Sequence, residues 1–343
     1  MQYLLRNNSL DIISTNLPEG LIQSAITETV NFAHDTCAVT GKKRRHGTIS
    51  QGGLTLYLVT YEVAATNKIF KHQLSACKTI LAAYANTYER LRETESQKAR
   101  RLKHNLLTYS TKINQELYKL IPQEHLSKGS QNQKDLIKRI VRNDTDKAAT
   151  TFLRILKNAN LIKSEFDVYD MIHGDGIEPD SFSHSIHKVI SLSLSSFWLD
   201  FLQKDISVYI ENCNSKLYFN YESISSILCN IFDNATKYIA NKTSLNISFK
   251  ENETHFFVIF DMISLRVKEE EKKRLFEEGF SSEYSEKLGY AGSGIGMSII
   301  KKLCELNNYL IDFKVNVDPK KSTTMMSIPF DNNILSIGIS KYP

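Results

Sequence analysis

Asn230-Ile-Phe-Asp-Asn-Ala-Thr-Lys-Tyr238 is the stretch on which the reading of this chain turns. It lies in a helix predicted over Glu222 to Ala240, with an apolar stripe of Ile224, Ile227, Leu228, Ile231, Ala235 and Tyr238. Asn230 and Asn234 are one turn apart and stack on another face, with Lys237 a turn further on. Amide oxygens suit a hard cation such as Mg²⁺, and a lysine suits phosphate, so this face is fitted to a Mg²⁺–triphosphate. Taken alone, it reads more readily as two solvated asparagines and a surface lysine.

The residues downstream change that balance. Phe257-Val-Ile-Phe-Asp261 is an apolar strand ending in a carboxylate. An Asp there can accept a hydrogen bond from an adenine amino group, or simply open a turn. Leu275-Phe-Glu-Glu-Gly-Phe280 follows, and then Gly289-Tyr-Ala-Gly-Ser-Gly-Ile-Gly296, which runs into a helix at Met297. Glycines let backbone N–H groups approach phosphate, and a helix N-terminus adds partial positive charge. The run does not directly follow a strand and no Gly-Lys-Ser/Thr is present, so neither a dinucleotide fold nor a P-loop is indicated.

In this order the four segments resemble the N, G1, F and G2 boxes of the GHKL ATP-binding fold, and Asn230 to Tyr238 resembles the N box of sensor histidine kinases. The resemblance covers about residues 95 to 331. It implies ATP and Mg²⁺ as cofactors, with Asn234 holding the metal and Asn230 beside it. Lys237 and Tyr238 would line the nucleotide and Asp261 would read adenine. Gly292, Gly294 and Gly296 would cradle phosphates under a mobile lid, Ser281 to Ala291. No structural need for three alternate glycines is evident unless phosphate binds.

The family also needs a phosphoacceptor histidine. Of nine histidines, His104 stands mid-helix in Arg100-Arg-Leu-Lys-His-Asn-Leu-Leu-Thr108, which resembles the H box with Thr108 in the fourth position. Two positions depart from the pattern. Asn105 replaces the acid that follows the histidine in the family, and Asp261-Met-Ile-Ser-Leu265 lacks the G1 glycines. The reading that results is a soluble, ATP-dependent protein-histidine kinase. It autophosphorylates His104 and passes the phosphoryl group to an Asp of a separate response-regulator receiver. The alternative is a non-catalytic phosphotransferase or pseudokinase with a degenerate ATP site, or a phosphatase-biased regulator using Thr108. His184 and His187 could ligate a metal, but no third ligand is evident.

The architecture expected is α+β and multidomain. Residues 1–66 form a small α/β sensory or docking domain, with a helix over Gly20 to Phe32, a basic loop Lys42 to His46 and a strand Leu54 to Tyr61. Residues 67–165 form a dimerisation and phosphotransfer hairpin. Its first helix carries Leu102, Leu106, Tyr109, Ile113, Leu117 and Leu120, and its second carries Ile137, Ile140, Val141, Ala148, Phe152, Leu156 and Ala159 on one face. Two such hairpins pair into a four-helix bundle, so a homodimer is expected. Residues 164 to 180 read as a linker, and 166–343 as the GHKL α/β sandwich. Predicted strands lie at 206–210, 217–219, 245–249, 256–260 and 311–317, and predicted helices at 184–201, 222–240 and 297–305.

The chain of 343 residues has 43 basic and 38 acidic side chains, and this small excess does not itself predict nucleic acid. Five cysteines (Cys37, Cys77, Cys213, Cys229 and Cys304) lie far apart, which argues against a disulfide scaffold or zinc knuckle. No signal-like run opens the sequence and no apolar stretch is long enough for a membrane span, so a cytoplasmic protein is expected. The basic loop has no aromatic interleaving, which makes nucleic acid an unlikely partner. A signal ligand or protein is expected as the partner of residues 1–66.

Overall fold

A computed structural model describes residues 1–127, 133–173, 180–289 and 294–341. The chain divides into two compact units, 1–101 and 102–343.

The first unit is a five-stranded antiparallel sheet of β1 (Gln2–Asn7), β2 (Ile12–Thr15), β3 (Ala33–Thr36), β4 (Lys43–Gln51) and β5 (Leu54–Thr60), in the order β2-β1-β5-β4-β3. Helix α1 (Glu19–Ile26) packs Leu21 and Ala25 against Leu4, Tyr57 and Val59 on one face. Helix α2 (Asn67–Leu120) belongs to this unit up to Arg101, and Leu81 and Ala85 cover Leu5 and Leu54 on the other face. The sheet has one helix on each side, and the predicted helix over Gly20 to Phe32 stops at Ile26. Gly52 and Gly53, both at positive φ, make the two-residue turn joining β4 to β5.

The expected basic loop is instead strand β4. Period-2 alternation sends Arg44 and His46 toward acids rather than into solvent. Arg44 Nε lies 2.8 Å from Asp35 Oδ1, and buried His46 lies 3.2 Å from Asp35 and 3.7 Å from Glu28. Local pairing takes up Arg44 and His46, while Lys42 and Lys43 stay exposed.

The second unit begins with the remainder of α2, followed by α3 (Gln123–Ser127), α4 (Gln133–Asn143) and α5 (Thr145–His173). The predicted second hairpin helix is thus broken at Asp144, whose carboxylate accepts from the Lys147 amide as an N-cap does. It also runs on to His173, through most of the expected linker. Burial explains this extension. Leu161 and Val168 of α5 are buried in the same core as the α/β domain, so 164–173 is held as helix by packing.

The α/β domain comprises β6 (Phe182–Ser185), α6 (Ile186–Ser195), α7 (Trp198–Gln203), β7 (Ser207–Ile210), β8 (Lys216–Phe219), α8 (Tyr221–Tyr238), β9 (Ser244–Glu251), β10 (His255–Leu265), α9 (Glu283–Lys287), α10 (Gly296–Leu306), β11 (Leu310–Lys314), β12 (Thr323–Met325) and β13 (Ile328–Ser340). The main sheet runs β11-β13-β10-β9-β7, with β12 beside β13; only β7–β9 is parallel. The last predicted strand stops at Lys314, where Asn316 turns the backbone to positive φ. The predicted helix over 184–201 is two helices, separated by Ser196 and Phe197.

Helices α6, α8 and α10 cover one face of this sheet. Asn220 caps α8 by accepting from the Ser223 amide at 2.8 Å. Phe232, fully buried on α8, sits with its ring 6.0 Å from Phe197 and 6.1 Å from Phe260 of β10. Phe232→Ala should therefore cost about 3–5 kcal/mol of stability, read by denaturant unfolding.

Candidate functional site

A cavity of about 210 Å³ opens among α2, α5, α8, β10 and the start of α10. Its residues all belong to the second unit.

At one end, α8 presents Asn230, Asp233, Asn234 and Lys237. The amphipathic pattern puts them there, because Ile224, Ile227, Ile231 and Ala235 are committed to the core. Asn230 Nδ2 donates to the Ser226 carbonyl at 2.9 Å, which settles its amide orientation. Lys237 pairs with Asp233, one turn back. The first turn of α10 faces the two asparagines. A Cβ on Gly296 would lie 3.1 Å from Asn234 Nδ2, 3.3 Å from its Oδ1 and 3.5 Å from Asn230 Oδ1. Glycine is what brings a helix N-terminus so close to the two amides.

Gly294 has a different reason. It sits at φ +64°, and a Cβ there would stand 2.5 Å from the Gly279 carbonyl carbon and 2.6 Å from the Phe280 oxygen. Its own carbonyl accepts from the Gly279 amide at 3.1 Å. Gly294 therefore locks the glycine run onto the Phe280 turn, a structural need that the sequence did not reveal. Gly292 lies outside the described residues, as do positions 290 and 291 of the expected lid. The earlier part of that lid contains α9, capped by Ser282. Its Glu283 is bonded by Lys268 and Lys287, which hold the carboxyl down at about 2.

Tyr238 lines the cavity, and its hydroxyl lies 3.4 Å from Ser285 Oγ. Asp261 does not. On β10 the residues buried toward the helices are Phe256, Val258, Phe260, Met262 and Ser264, and alternation turns Asp261 to the opposite face. There its carboxylate accepts from Asn332 Nδ2 of β13 at 2.5 Å. The sequence reading took Phe260–Asp261 as the end of the strand, but β10 continues to Leu265. The cavity-facing positions are Met262 and Ser264. Buried Asn333 donates to Ser264 Oγ at 2.9 Å and to the Leu265 carbonyl at 3.2 Å, fixing this end of the strand. Leu265, Val267 and Ile299 complete an apolar wall. Counting the alternation forward from Phe256 would have found Met262.

From the hairpin, Asn105 and Tyr109 of α2 and Glu165 of α5 complete the lining. Asn105 Nδ2 donates to Glu165 Oε1 at 3.1 Å. Burial, with the Glu165 and Asp233 carboxylates nearby, pushes the Tyr109 phenol well above its ordinary range. His104 is exposed and is not among the lining residues, although Asn105 beside it is. Thr108 Oγ1 donates to the His104 carbonyl at 2.9 Å, one turn back. Sequence reasoning missed Glu165, Tyr109, Met262 and Ser264. Glu165 is distant in sequence and carries no local signal.

The phosphate-fitting end suits a Mg²⁺–triphosphate, with amide oxygens, a lysine and a helix N-terminus within a cradle that a Cβ would crowd. The apolar end lacks the expected carboxylate, since Met262 stands on the cavity side of β10.

Residues 220–332 match the family of histidine kinase-, DNA gyrase B- and HSP90-like ATPases. This segment is a domain similar to those ATPases. The ATPase domain begins at the Asn220 cap of α8 and ends within β13, so it includes both asparagines and the glycine run. Over 181 residues the chain is 24% identical to the histidine protein kinase SaeS of Staphylococcus aureus strain USA300, covering 50% of each protein. The same kinase from strain MRSA252 is 23% identical over that length. The chain thus spans about half the length of the curated relatives it matches. Among solved structures it is similar to the catalytic domain of histidine kinase ThkA, at 17% identity and TM-score 0.39, over 48% of this chain and 99% of that one. It is also similar to the Acinetobacter baumannii histidine kinase AdeS, at 14% identity and TM-score 0.41, over 70% and 98%.

Gly294→Ala is expected to loosen the packing of the ATPase domain's glycine run on the Phe280 turn. Its amide exchange at Gly279 should rise well above that of the parent protein, measured by hydrogen–deuterium exchange.

Proposed function

We propose that this chain is an ATP-dependent protein-histidine kinase that phosphorylates His104 and passes the phosphoryl group to an Asp of a separate receiver protein. The observation that carries the reading is one cavity holding Asn230, Asn234 and the α10 N-terminus together with Asn105, the neighbour of His104. Catalysis of this class is mostly positioning and charge neutralisation. Asn234, with Asn230 beside it, would hold Mg²⁺, which when bound offsets phosphate charge.

The remaining roles fall to side chains and backbone of this chain. The α10 N-terminus and Lys237 attract the phosphates, and Tyr238 flanks the nucleotide. In the transfer, a ring nitrogen of His104 forms a bond to the γ-phosphorus. The bond from that phosphorus to the bridging oxygen breaks, ADP leaves, and the imidazole gives up a proton. His104 is exposed, so a nucleotide in the cavity and the acceptor must be brought together by movement of the hairpin or of a second copy. Exposed apolar residues on the hairpin helices support a homodimer through this face; Leu107 is 57% and Phe152 55% exposed. Among the described residues, no helix is long and apolar enough to cross a membrane.

Incubation with γ-labelled ATP and Mg²⁺ should give acid-labile label that His104→Gln abolishes. Undiminished label in that variant would reject His104 as acceptor. Absence of label from folded parent protein, with phosphate accepted from a phosphorylated receiver, would replace the kinase with a relay. A second expectation follows from Met262. With Met262 rather than a carboxylate at the apolar end, ATP should compete over GTP by less than about 100-fold, as apolar pockets do. Met262→Asp should widen that ratio in a nucleotide competition assay.

A further inference from the structure

We propose that Glu165 is a positioning residue for His104, acting through the side-chain amide of Asn105. The inference rests on the acceptor role given to His104 above. The position after the histidine is a neutral amide, which brings no negative charge to the imidazole. The structure places a carboxylate one hydrogen bond away, on the other helix of the hairpin, with Asn105 Nδ2 3.1 Å from Glu165 Oε1.

That bond fixes more than distance. An ionised carboxylate only accepts hydrogen bonds, so the Asn105 amide must show its NH₂ to Glu165 and turn its carbonyl oxygen elsewhere. The Glu165 charge polarises the amide and makes that oxygen a stronger acceptor. Glu165, Asn105 and the amide oxygen thus form a chain that delivers negative charge from α5 to the neighbour of the histidine on α2. When a ring nitrogen of His104 takes the phosphoryl group and ADP departs, the imidazole is left positively charged. Neighbouring side chains leave a helix about 100° apart, so the ring swings toward Asn105 to donate its N–H to the amide oxygen, and the Glu165 charge stabilises the cation until that proton passes to solvent.

The surrounding groups do not take over this task. The Tyr109 phenol is held protonated by burial and by the same carboxylates. Asp233 is paired with Lys237 on α8. Glu165 is the acid bonded to the residue that follows His104.

The test separates charge from tethering. Glu165→Gln keeps an oxygen that can accept from Asn105 but removes the charge, so a merely structural bond would survive it. The His104 imidazole is titrated by NMR in the full chain, its signal assigned by its loss in His104→Gln. Its midpoint should fall by about 0.5 in Glu165→Gln and in Asn105→Ala. Asn105→Asp combined with Glu165→Gln should restore it. An unchanged midpoint in Glu165→Gln, in protein with the parent's unfolding temperature, overturns the proposal. Autophosphorylation at saturating ATP should also fall at least ~10-fold in Glu165→Gln and recover in the double variant. If the parent protein takes no label, the kinase reading fails, while the imidazole titration still decides whether Glu165 acts on His104.

Discussion

The close approach of the first turn of α10 to Asn230 and Asn234 of α8 is the contact around which the ATPase domain is arranged. A hydrogen rather than a methyl group at Gly296 permits it. Because α8 gives its apolar stripe to the sheet, its amide face is left for α10, and the two helices meet where the dipole of one addresses the polar side chains of the other. In the sheet beneath, Phe260 supports Phe232, and its next inward residue, Met262, becomes the floor. The two glycines do different physical work. Gly296 clears room for a polar meeting, whereas Gly294 takes up a backbone conformation and an approach that no side chain could accommodate.

The hairpin is tied to this domain by ordinary packing and by polar bonds along α5. Lys157 bridges to Asp200 at 2.8 Å while lying over the Phe197 ring, and Asn160 donates to Ser196 at 2.7 Å. Nearer its end, Met171 accepts from Ser223, which in turn accepts from Asn307 of the segment after α10. Asn105 and Glu165 therefore sit at the mouth of a cavity whose other walls are held by a shared core.

What the sequence made legible was whatever depends on local periodicity. The amphipathic face of α8, the helix after the glycine run and most of the strands needed only spacing. Asp261 falls outside the cavity because strand length decides which face a residue takes, and β10 outran the apolar segment that marked it. The basic segment at β4 misled for a related reason. Its Arg44 and His46 are answered by Glu28 and Asp35, acids that only the fold brings near. The linker expected after residue 164 was lost to tertiary packing, since Val168 has a core to enter. Glu165 could not be found at all, because sixty residues separate it from Asn105 and nothing local distinguishes it.

The sharing of one core by α5 and the ATPase domain has a consequence for motion. Leu161 and Val168 interlock with side chains of the domain in a close-packed interior, and such interiors do not deform smoothly. Carrying the domain along α5 toward the exposed histidine would require that seam to part and re-form in another register. The protein should then occupy a small number of discrete docked positions, with travel between them slow compared with side-chain motion. Regulation in such a design acts on the seam, by changing how readily it opens, and leaves the chemistry of the nucleotide cavity untouched.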